Sequence, residues 1–276
     1  MKKIELPEIK KLEVEMLKII DKLCRNNNIQ YFAIGGTLLG AIRHNGFIPW
    51  DDDIDIALTF ENYQKLLKLL EKECINGKFK ILNDSNNKNY YYPFSKMVNC
   101  DTIVYEGMVG DENMGIFVDI FCLNPLPDDE QIAHKTYKKM RFIKDYGIKI
   151  INSNNDKTTK VYKRPFRKFV RFVEKYIIGS KNILKIYKNC YYKYLNCKPK
   201  YGIMNWFSYD EKNELYNWYD FQDIIDHQFE DMMIMIPKKY DSVLKKCFGD
   251  YMKLPPESER MPQHTACAYY RGKKYE

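Results

Sequence analysis

The segment Gly35–Ile56 reads GGTLLGAIRHNGFIPWDDDIDI. It is the most informative part of the sequence, because four aspartates stand among apolar residues at its end. In a β-strand, side chains at i and i+2 share one face, so Asp53 and Asp55 are predicted to point one way while Ile54 and Ile56 enter a core. Neighbouring carboxylates at an apolar edge repel each other and resist desolvation unless a cation neutralises them. Oxygen ligands of this kind suit Mg²⁺ or Mn²⁺ beside a substrate phosphate. The pattern therefore predicts metal-dependent phosphate chemistry.

A second acidic strand is predicted at Ile116–Leu123, where Asp119 is the only charge among large apolar side chains. A run that is apolar on both faces is typical of a central strand. An unpaired carboxylate in such a strand costs several kcal/mol by order of magnitude. Asp119 is therefore predicted to be the third ligand of the metal site, and the alternative is a buried ion pair with a lysine or an arginine.

Apolar periodicity predicts helices and strands on both sides of the motif. The expected helices are Pro7–Asn26, the turns Thr37–His44 after a Gly35-Gly36 turn, a helix after Thr59, a basic helical region from about 128 to 196, and a short helix opened by Pro237. The expected strands, besides the second acidic one, are Tyr31–Ile34, Asp53–Leu58, Phe79–Leu82, Phe94–Val98, Thr102–Tyr105 and Met232–Ile236. Together they indicate an α/β (α+β) fold.

Composition excludes several classes of protein. A chain of 276 residues with 45% hydrophobic content can bury a core, and it contains no apolar run of the roughly 18 residues that a membrane span needs. The charged N-terminus is not that of a signal peptide, and the eight cysteines form no C-x-x-C pair, so reduced thiols and a cytoplasmic location are expected. The net charge of +8 indicates either a solvated lysine-rich surface or attraction to an anionic partner.

Three segments of the sequence resemble one family. The block Gly35–Ile56 resembles the signature of the LicD/fukutin-related phosphotransferases, and GIFVDIF at Gly115–Phe121 resembles the second acidic strand of that family. The segment Tyr240–Pro256, followed by Arg260 and His264, resembles its closing element. The three matches occur in the family's order and reach from the first acidic motif to the C-terminal region.

The resemblance implies a nucleotidyltransferase-like mixed sheet flanked by helices, with a helical, basic insertion and a C-terminal extension. The expected division is 1–127 for the catalytic core, 128–200 for the helical basic region and 201–276 for a C-terminal segment that packs back on the core. Asp53 and Asp55 match the family's D-x-D pair and Asp119 its third carboxylate. These three residues are expected to be catalytic and to bind Mg²⁺ or Mn²⁺.

The expected reaction moves phosphocholine, or a related substituted phosphate, from CDP-choline or another CDP-linked alcohol to a hydroxyl of a cell-surface glycan or its lipid-linked precursor. The backbone amides of Gly35, Gly36 and Thr37 are expected to approach the donor's phosphates, because glycine lacks a side chain. Arg43 and Lys96 are expected to donate to phosphate oxygens. Alternatively, Arg43 lies on a solvated helix surface and does not contact phosphate. Arg260 and His264 are expected either to close over the site, with His264 binding the donor, or to pack the C-terminal tail.

Two other functions compete with this interpretation. Nucleotidyl transfer to a small molecule would use a similar site, and a non-catalytic module could hold calcium at Asp51–Asp55. The second is disfavoured because Asn62 stands where an EF-hand loop requires glutamate.

The partners follow from the basic regions. Residues 161–178, VYKRPFRKFVRFVEKYII, suit a helix lying on an anionic membrane surface, so a peripheral position at the inner face of the membrane is one expectation and an ordinary amphipathic helix is the other. No nucleic acid partner is expected.

Overall fold

A computed structural model of the protein describes residues 1–73, 77–87, 90–105, 114–148, 180–205, 214–260 and 267–271. Six α-helices lie in these ranges, namely α1 (Leu6–Asn26), α2 (Gly35–His44), α3 (Phe60–Glu73), α4 (Glu130–Ile143), α5 (Ser180–Tyr192) and α6 (Tyr240–Phe248). The first strands are β1 (Lys3–Ile4), β2 (Phe32–Ala33), β3 (Asp55–Thr59), β4 (Phe79–Leu82), β5 (Ser95–Asn99) and β6 (Thr102–Tyr105). The later strands are β7 (Phe117–Pro127), β8 (Pro199–Met204), β9 (Tyr216–Asn217), β10 (Ile224–Phe229), β11 (Met232–Pro237) and β12 (Cys267–Tyr270).

A mixed sheet of seven strands forms the centre of the fold, in the order β2-β3-β7-β5-β4, with β8 on β7 and β9 on β8. Its middle strand β7 is 11 residues long, and all but its last residue are buried, as expected for a strand covered on both faces. β3 runs parallel to β7, whereas β5 and β8 run antiparallel to it. The predicted mixed sheet flanked by helices is confirmed.

The buried side chain of Asn205 links the central strand of this sheet to a neighbouring segment. Asn205 follows β8 and is 2% exposed; its Oδ1 accepts from the Cys122 N–H at 2.9 Å, while its Nδ2 donates to the Pro93 carbonyl at 2.7 Å. The one amide therefore joins β7 to the segment that leads into β5. Asn205 thus gives a hydrogen-bond partner to the Cys122 N–H and to the Pro93 carbonyl. A buried backbone group without a partner would cost about 1–3 kcal/mol.

The helices bury the apolar faces that their spacing predicts. Helix α1 buries Met16, Leu17, Ile20 and Cys24 in the main core, and α3 buries Tyr63, Leu66 and Leu70 in the same core. A second core forms where α4 and α5 pack together, and its largest members are Tyr137, Tyr187 and Tyr191. The basic region is thus helical at α4 and α5, as predicted, while residues 161–178 lie outside the described ranges.

A hairpin of β10 and β11 supports the first half of the chain from outside the main sheet. At its turn, Glu230 Oε1 accepts from the Phe47 N–H at 2.9 Å, and the Glu230 N–H donates to the Asn45 carbonyl at 2.8 Å. Ion pairs Lys18–Asp231 and Arg25–Asp226 tie the same hairpin to α1. The C-terminal segment therefore packs on the loop that precedes the acidic motif.

Several boundaries differ from the sequence-based expectations. Gly35 and Gly36 lie in the first turn of α2, so the helix begins two residues before Thr37; the Leu38 N–H bonds to the Ile34 carbonyl at 3.0 Å. Asp53 precedes β3 instead of lying in it. Pro237 ends β11, and the following helix begins only at Tyr240. The strands β8, β10 and β12 were not predicted, and the division into three regions stays a prediction.

Two further expectations concern membranes and thiols. Among the helices in the described ranges, none is long and apolar enough to cross a bilayer. The seven described cysteines are free thiols, of which Cys24, Cys122 and Cys190 are buried.

Candidate active site

Three charged side chains stand in a row across three neighbouring strands. Asp55 of β3 is directly opposite Asp119 of β7, and Asp119 is directly opposite Lys96 of β5. Residues that face each other in register project on the same side of a sheet, so all three side chains share one face. Two of the three predicted carboxylates are therefore brought together by the parallel pairing of β3 with β7.

Lys96 forms an ion pair with Asp119. The Lys96 Nζ lies 2.6 Å from Asp119 Oδ1, and the two side chains are 3% and 11% exposed. The same ammonium lies 3.3 Å from the ring centroid of Phe117, with Tyr92 and Phe94 next around it at 5.2 and 5.3 Å. The alternative interpretation of Asp119 as half of a buried ion pair is thus what the structure shows, and its partner is a residue that was itself predicted to belong to the site. The role of Lys96 toward phosphate stays a prediction.

The carboxylates repel one another. Burial raises the pKa of Asp55 well above its ordinary value, and Asp53, Asp119 and Asp51 raise it further, while Lys96 acts in the opposite direction. Asp53 is partly buried in the loop before β3, close enough to act on Asp55 electrostatically. One lysine on Asp119 leaves this group of acids with a surplus of negative charge.

The two glycines allow the start of α2 to approach these acids. Gly35 has φ +55°, and a Cβ added there would lie 3.2 Å from Asp55 Oδ2. A Cβ on Gly36 would collide with Asp51 Oδ2. The side-chain Oγ1 of Thr37, which is 1% exposed, accepts from the Asp55 N–H at 2.8 Å. The turn therefore fixes the first acidic strand, and the expected contact of its backbone amides with phosphate stays a prediction.

A basic group lies beside the acidic one. Arg43 Nη1 donates to the Tyr251 carbonyl at 2.9 Å, and the Arg260 guanidinium lies 5.7 Å from the centroid of the Trp50 ring, one residue before the first aspartate. Burial and the nearby Arg260 lower the pKa of Arg43. Burial, Arg43 and Lys10 likewise lower the pKa of His44. Arg43 and Arg260 together provide a favourable position for an anion, because the charge of Arg260 disfavours that of Arg43.

Glu13 of α1 also lies near the acidic group, and it was not predicted to belong to the site. Glu13 is 2% exposed, and its Oε2 has no hydrogen-bond partner among the described residues. Burial raises its pKa well above the ordinary value, followed by the charges of Asp53, Asp52, Asp51 and Asp119. A signal was present in the sequence, because Glu13 lies four residues after Ile9 and three before Met16, on the apolar face of the predicted helix. His264, in contrast, lies outside the described residues.

The acidic group fits a hard divalent cation by its donor chemistry, since it offers several carboxylates with mutual repulsion and one buried oxygen without a partner. In the ranges that the structure describes, no group of three or more His, Cys, Asp or Glu side chains is arranged to hold a metal ion as it stands. Asp119 Oδ1 is held by Lys96, so a cation that bridges Asp55 and Asp119 must compete with the ammonium.

Comparisons with known proteins agree with this geometry. The family model described as LicD/FKTN/FKRP, nucleotidyltransferase domain, matches residues 28–148, which include β3, β5 and β7. Residues 28–148 therefore resemble the nucleotidyltransferase domain of this family. The chain is 29% identical over 98% of its length to the lipopolysaccharide cholinephosphotransferase LicD of Haemophilus influenzae, of which it covers 99%.

Two further relatives match parts of the chain. The uncharacterized protein RP689 of Rickettsia prowazekii is 31% identical over 48% of the chain and 48% of its own length. The human ribitol 5-phosphate transferase FKRP is 47% identical over 34 residues, which are 12% of the chain and 7% of FKRP. The similarity to a bacterial LicD protein is thus end to end, whereas the similarity to FKRP is local.

Proposed function

We propose that this protein transfers phosphocholine, or a closely related substituted phosphate, from a CDP-linked donor to a hydroxyl of a bacterial surface glycan in a reaction that needs a divalent cation. The observation that carries the reaction class is the row of Asp55, Asp119 and Lys96 across three strands, beside the basic pair Arg43 and Arg260. The choice of phosphocholine rests on the end-to-end similarity to a lipopolysaccharide cholinephosphotransferase.

Phosphoryl transfer requires mainly positioning and charge neutralisation, and different side chains of the site would supply each. Asp53, Asp55 and Asp119 would hold Mg²⁺ or Mn²⁺, which when bound neutralises charge on the donor's diphosphate. Arg43 and Arg260 would bind the anionic donor through charge-assisted hydrogen bonds.

The remaining groups hold the geometry. Thr37 fixes the backbone of Asp55, and Lys96 fixes the carboxylate of Asp119. Asp119, or the acceptor's own hydroxyl group activated by the cation, would account for removal of the proton from the attacking hydroxyl; for Asp119 this requires that Lys96 release its carboxylate.

The test is the identity of the nucleotide product. The protein is incubated with CDP-choline, Mg²⁺ and a lipopolysaccharide acceptor, and the release of CMP is measured. We expect CMP without pyrophosphate. Release of pyrophosphate from ATP or CTP in the presence of a small-molecule acceptor would favour nucleotidyl transfer instead.

A matched pair of variants assigns the activity to the site. Asp53→Ala should abolish CMP release while the protein keeps its circular dichroism spectrum. Asp128→Ala removes an exposed carboxylate that pairs with the surface residue Lys200, and it should leave the rate unchanged. An active Asp53→Ala protein would contradict the catalytic assignment.

A thermal-shift panel addresses the transferred group. CDP-choline, CDP-ethanolamine, CDP-glycerol and CDP-ribitol are compared at equal concentration with Mg²⁺. The donor that binds most tightly raises the melting temperature most, because a ligand that binds only the folded state stabilises it by mass action. We expect the largest shift with CDP-choline.

A further inference from the structure

Glu13 is buried at a place where burial is unfavourable. Its side chain lies on α1, a helix that packs against α3 and the central strand β7. Glu13 is 2% exposed, and within the part of the chain that the structure describes its Oε2 has no hydrogen-bond partner. Its near neighbour Glu15 points to the outside of the same helix and pairs with Lys78, with a side chain that is 45% exposed. The burial of Glu13 is therefore a property of its position on the helix.

The preceding turn of α1 is attached to the loop that carries the acidic motif. Lys10, three residues before Glu13, donates from Nζ to the carbonyls of Ile48 and Pro49 at 3.0 and 3.1 Å. Residues at i and i+3 of a helix are neighbours on one face, so Glu13 lies on the face of α1 that meets this loop. The attachment explains why a helical residue far from the motif in sequence is close to it in space.

The electrostatic surroundings of Glu13 are negative. The groups that act on its carboxylate are Asp53, Asp52, Asp51 and Asp119, each of which disfavours its charge. The ammonium of Lys10 interacts electrostatically with Glu13, but it donates its hydrogen bonds to two backbone carbonyls. A buried acid that faces further acids destabilises the fold on its own, and perturbed acids of this kind concentrate at functional sites.

We propose that Glu13 is a positioning residue of the active site, a fourth carboxylate whose charge strengthens the binding of a divalent cation by Asp53, Asp55 and Asp119. The inference rests on the proposed function, because it requires that those three aspartates bind the cation. Glu13 reaches the site from a helix, whereas the three aspartates belong to the sheet and to its entering loop. The cation would thus be balanced by carboxylates from two layers of the fold.

The test measures cation binding without turnover. The full-length protein is titrated with Mn²⁺, and free Mn²⁺ is followed by electron paramagnetic resonance. Glu13→Gln keeps the shape and removes the charge, and Glu13→Met replaces the side chain by an apolar one of similar length. Both should weaken Mn²⁺ binding by about tenfold, the range found when outer residues of metal sites are replaced. Glu15→Gln, two residues away and exposed, should bind Mn²⁺ as the wild type does.

Melting without a cation separates this role from a packing role. Both Glu13 variants should melt at the wild-type temperature or above it, because they remove a buried negative charge from among other acids. Wild-type Mn²⁺ affinity in both variants would overturn the inference and leave the proposed function standing. Unfolding of both variants would assign Glu13 to the core and overturn it as well. An absence of Mn²⁺ binding by the wild type, with Asp55→Asn indistinguishable from it, would overturn the proposed cation dependence together with the inference.

Discussion

The ion pair between Lys96 and Asp119 gives the sharpest prediction on stability. Lys96→Met keeps the aliphatic volume against Phe117 and removes the ammonium, so the buried carboxylate of Asp119 loses its ion pair with Lys96. Removal of one partner of a buried ion pair typically lowers the free energy of unfolding by about 3–5 kcal/mol. We expect about 3 kcal/mol, the lower end of this range, because the side chain of Asp119 is 11% exposed to solvent. For a domain of this size, that loss lowers the melting temperature by about 6–12 °C.

The assay is a double-mutant cycle by urea unfolding, with Lys96→Met, Asp119→Asn and the double variant. The double variant should be no less stable than either single one, since it leaves no unpaired charge, and the coupling energy should be about 2–3 kcal/mol. Lys65→Met is the matched control, because the Lys65–Glu61 pair has the same 2.6 Å separation on the exposed surface of α3 and should change stability little. Additive effects of the two site substitutions would refute the reasoning.

Divalent cations extend the same test. Mg²⁺ should raise the melting temperature of Lys96→Met by more than that of the wild type, because the cation no longer competes with an ammonium for Asp119. An equal shift in both proteins would show that Lys96 and the cation do not share the carboxylate.

Three further predictions concern the surrounding groups. Thr37→Val removes the hydroxyl that accepts from the Asp55 N–H and should lower the free energy of unfolding by about 1–3 kcal/mol, measured with urea. Arg43→Met should raise the KM for the CDP-linked donor about tenfold, because a charge-assisted hydrogen bond contributes about 1.5–3 kcal/mol; a change confined to kcat would contradict this. Burial raises the pKa of Glu13, so the folded protein holds this proton more tightly than the unfolded chain does. The resulting stabilisation of the folded state is complete below the ordinary pKa of 4.5 and is lost as the pH rises through the pKa of the folded state. The melting temperature of Glu13→Gln minus that of the wild type should therefore increase from pH 4.5 to 7, and a constant difference would contradict the assignment.

Much of the fold could be predicted because its signals are local. The spacing of apolar residues in α1 and α3, and the continuous apolar run of β7, each report how a segment is buried without reference to the rest of the chain. The strands β8 and β10 carry no such signal. Pro199–Met204 contains proline, lysine and glycine, and Ile224–Phe229 alternates weakly, so only pairing with β7 and β11 makes strands of them.

The candidate site could be predicted in part for the same reason. Asp55 and Asp119 stand out because a carboxylate in an apolar strand is unusual wherever its strand lies. The pairing of Lys96 with Asp119 depends on the register of β5 against β7, which the sequence does not specify. Glu13 has an unusual position on its helix, but the attachment of that helix to the acidic loop through Lys10 is a long-range contact.

The contact between Glu230 and Phe47 joins residues that are 183 positions apart in the chain. During synthesis, the acidic motif therefore leaves the ribosome long before the hairpin that supports its loop. At typical bacterial and eukaryotic elongation rates, this interval is roughly 10–40 s. During that interval, the loop around Phe47 lacks its hydrogen bond to Glu230. A ribosome stalled before codon 230 would hold a chain whose acidic loop lacks the hydrogen bond from Phe47 to Glu230.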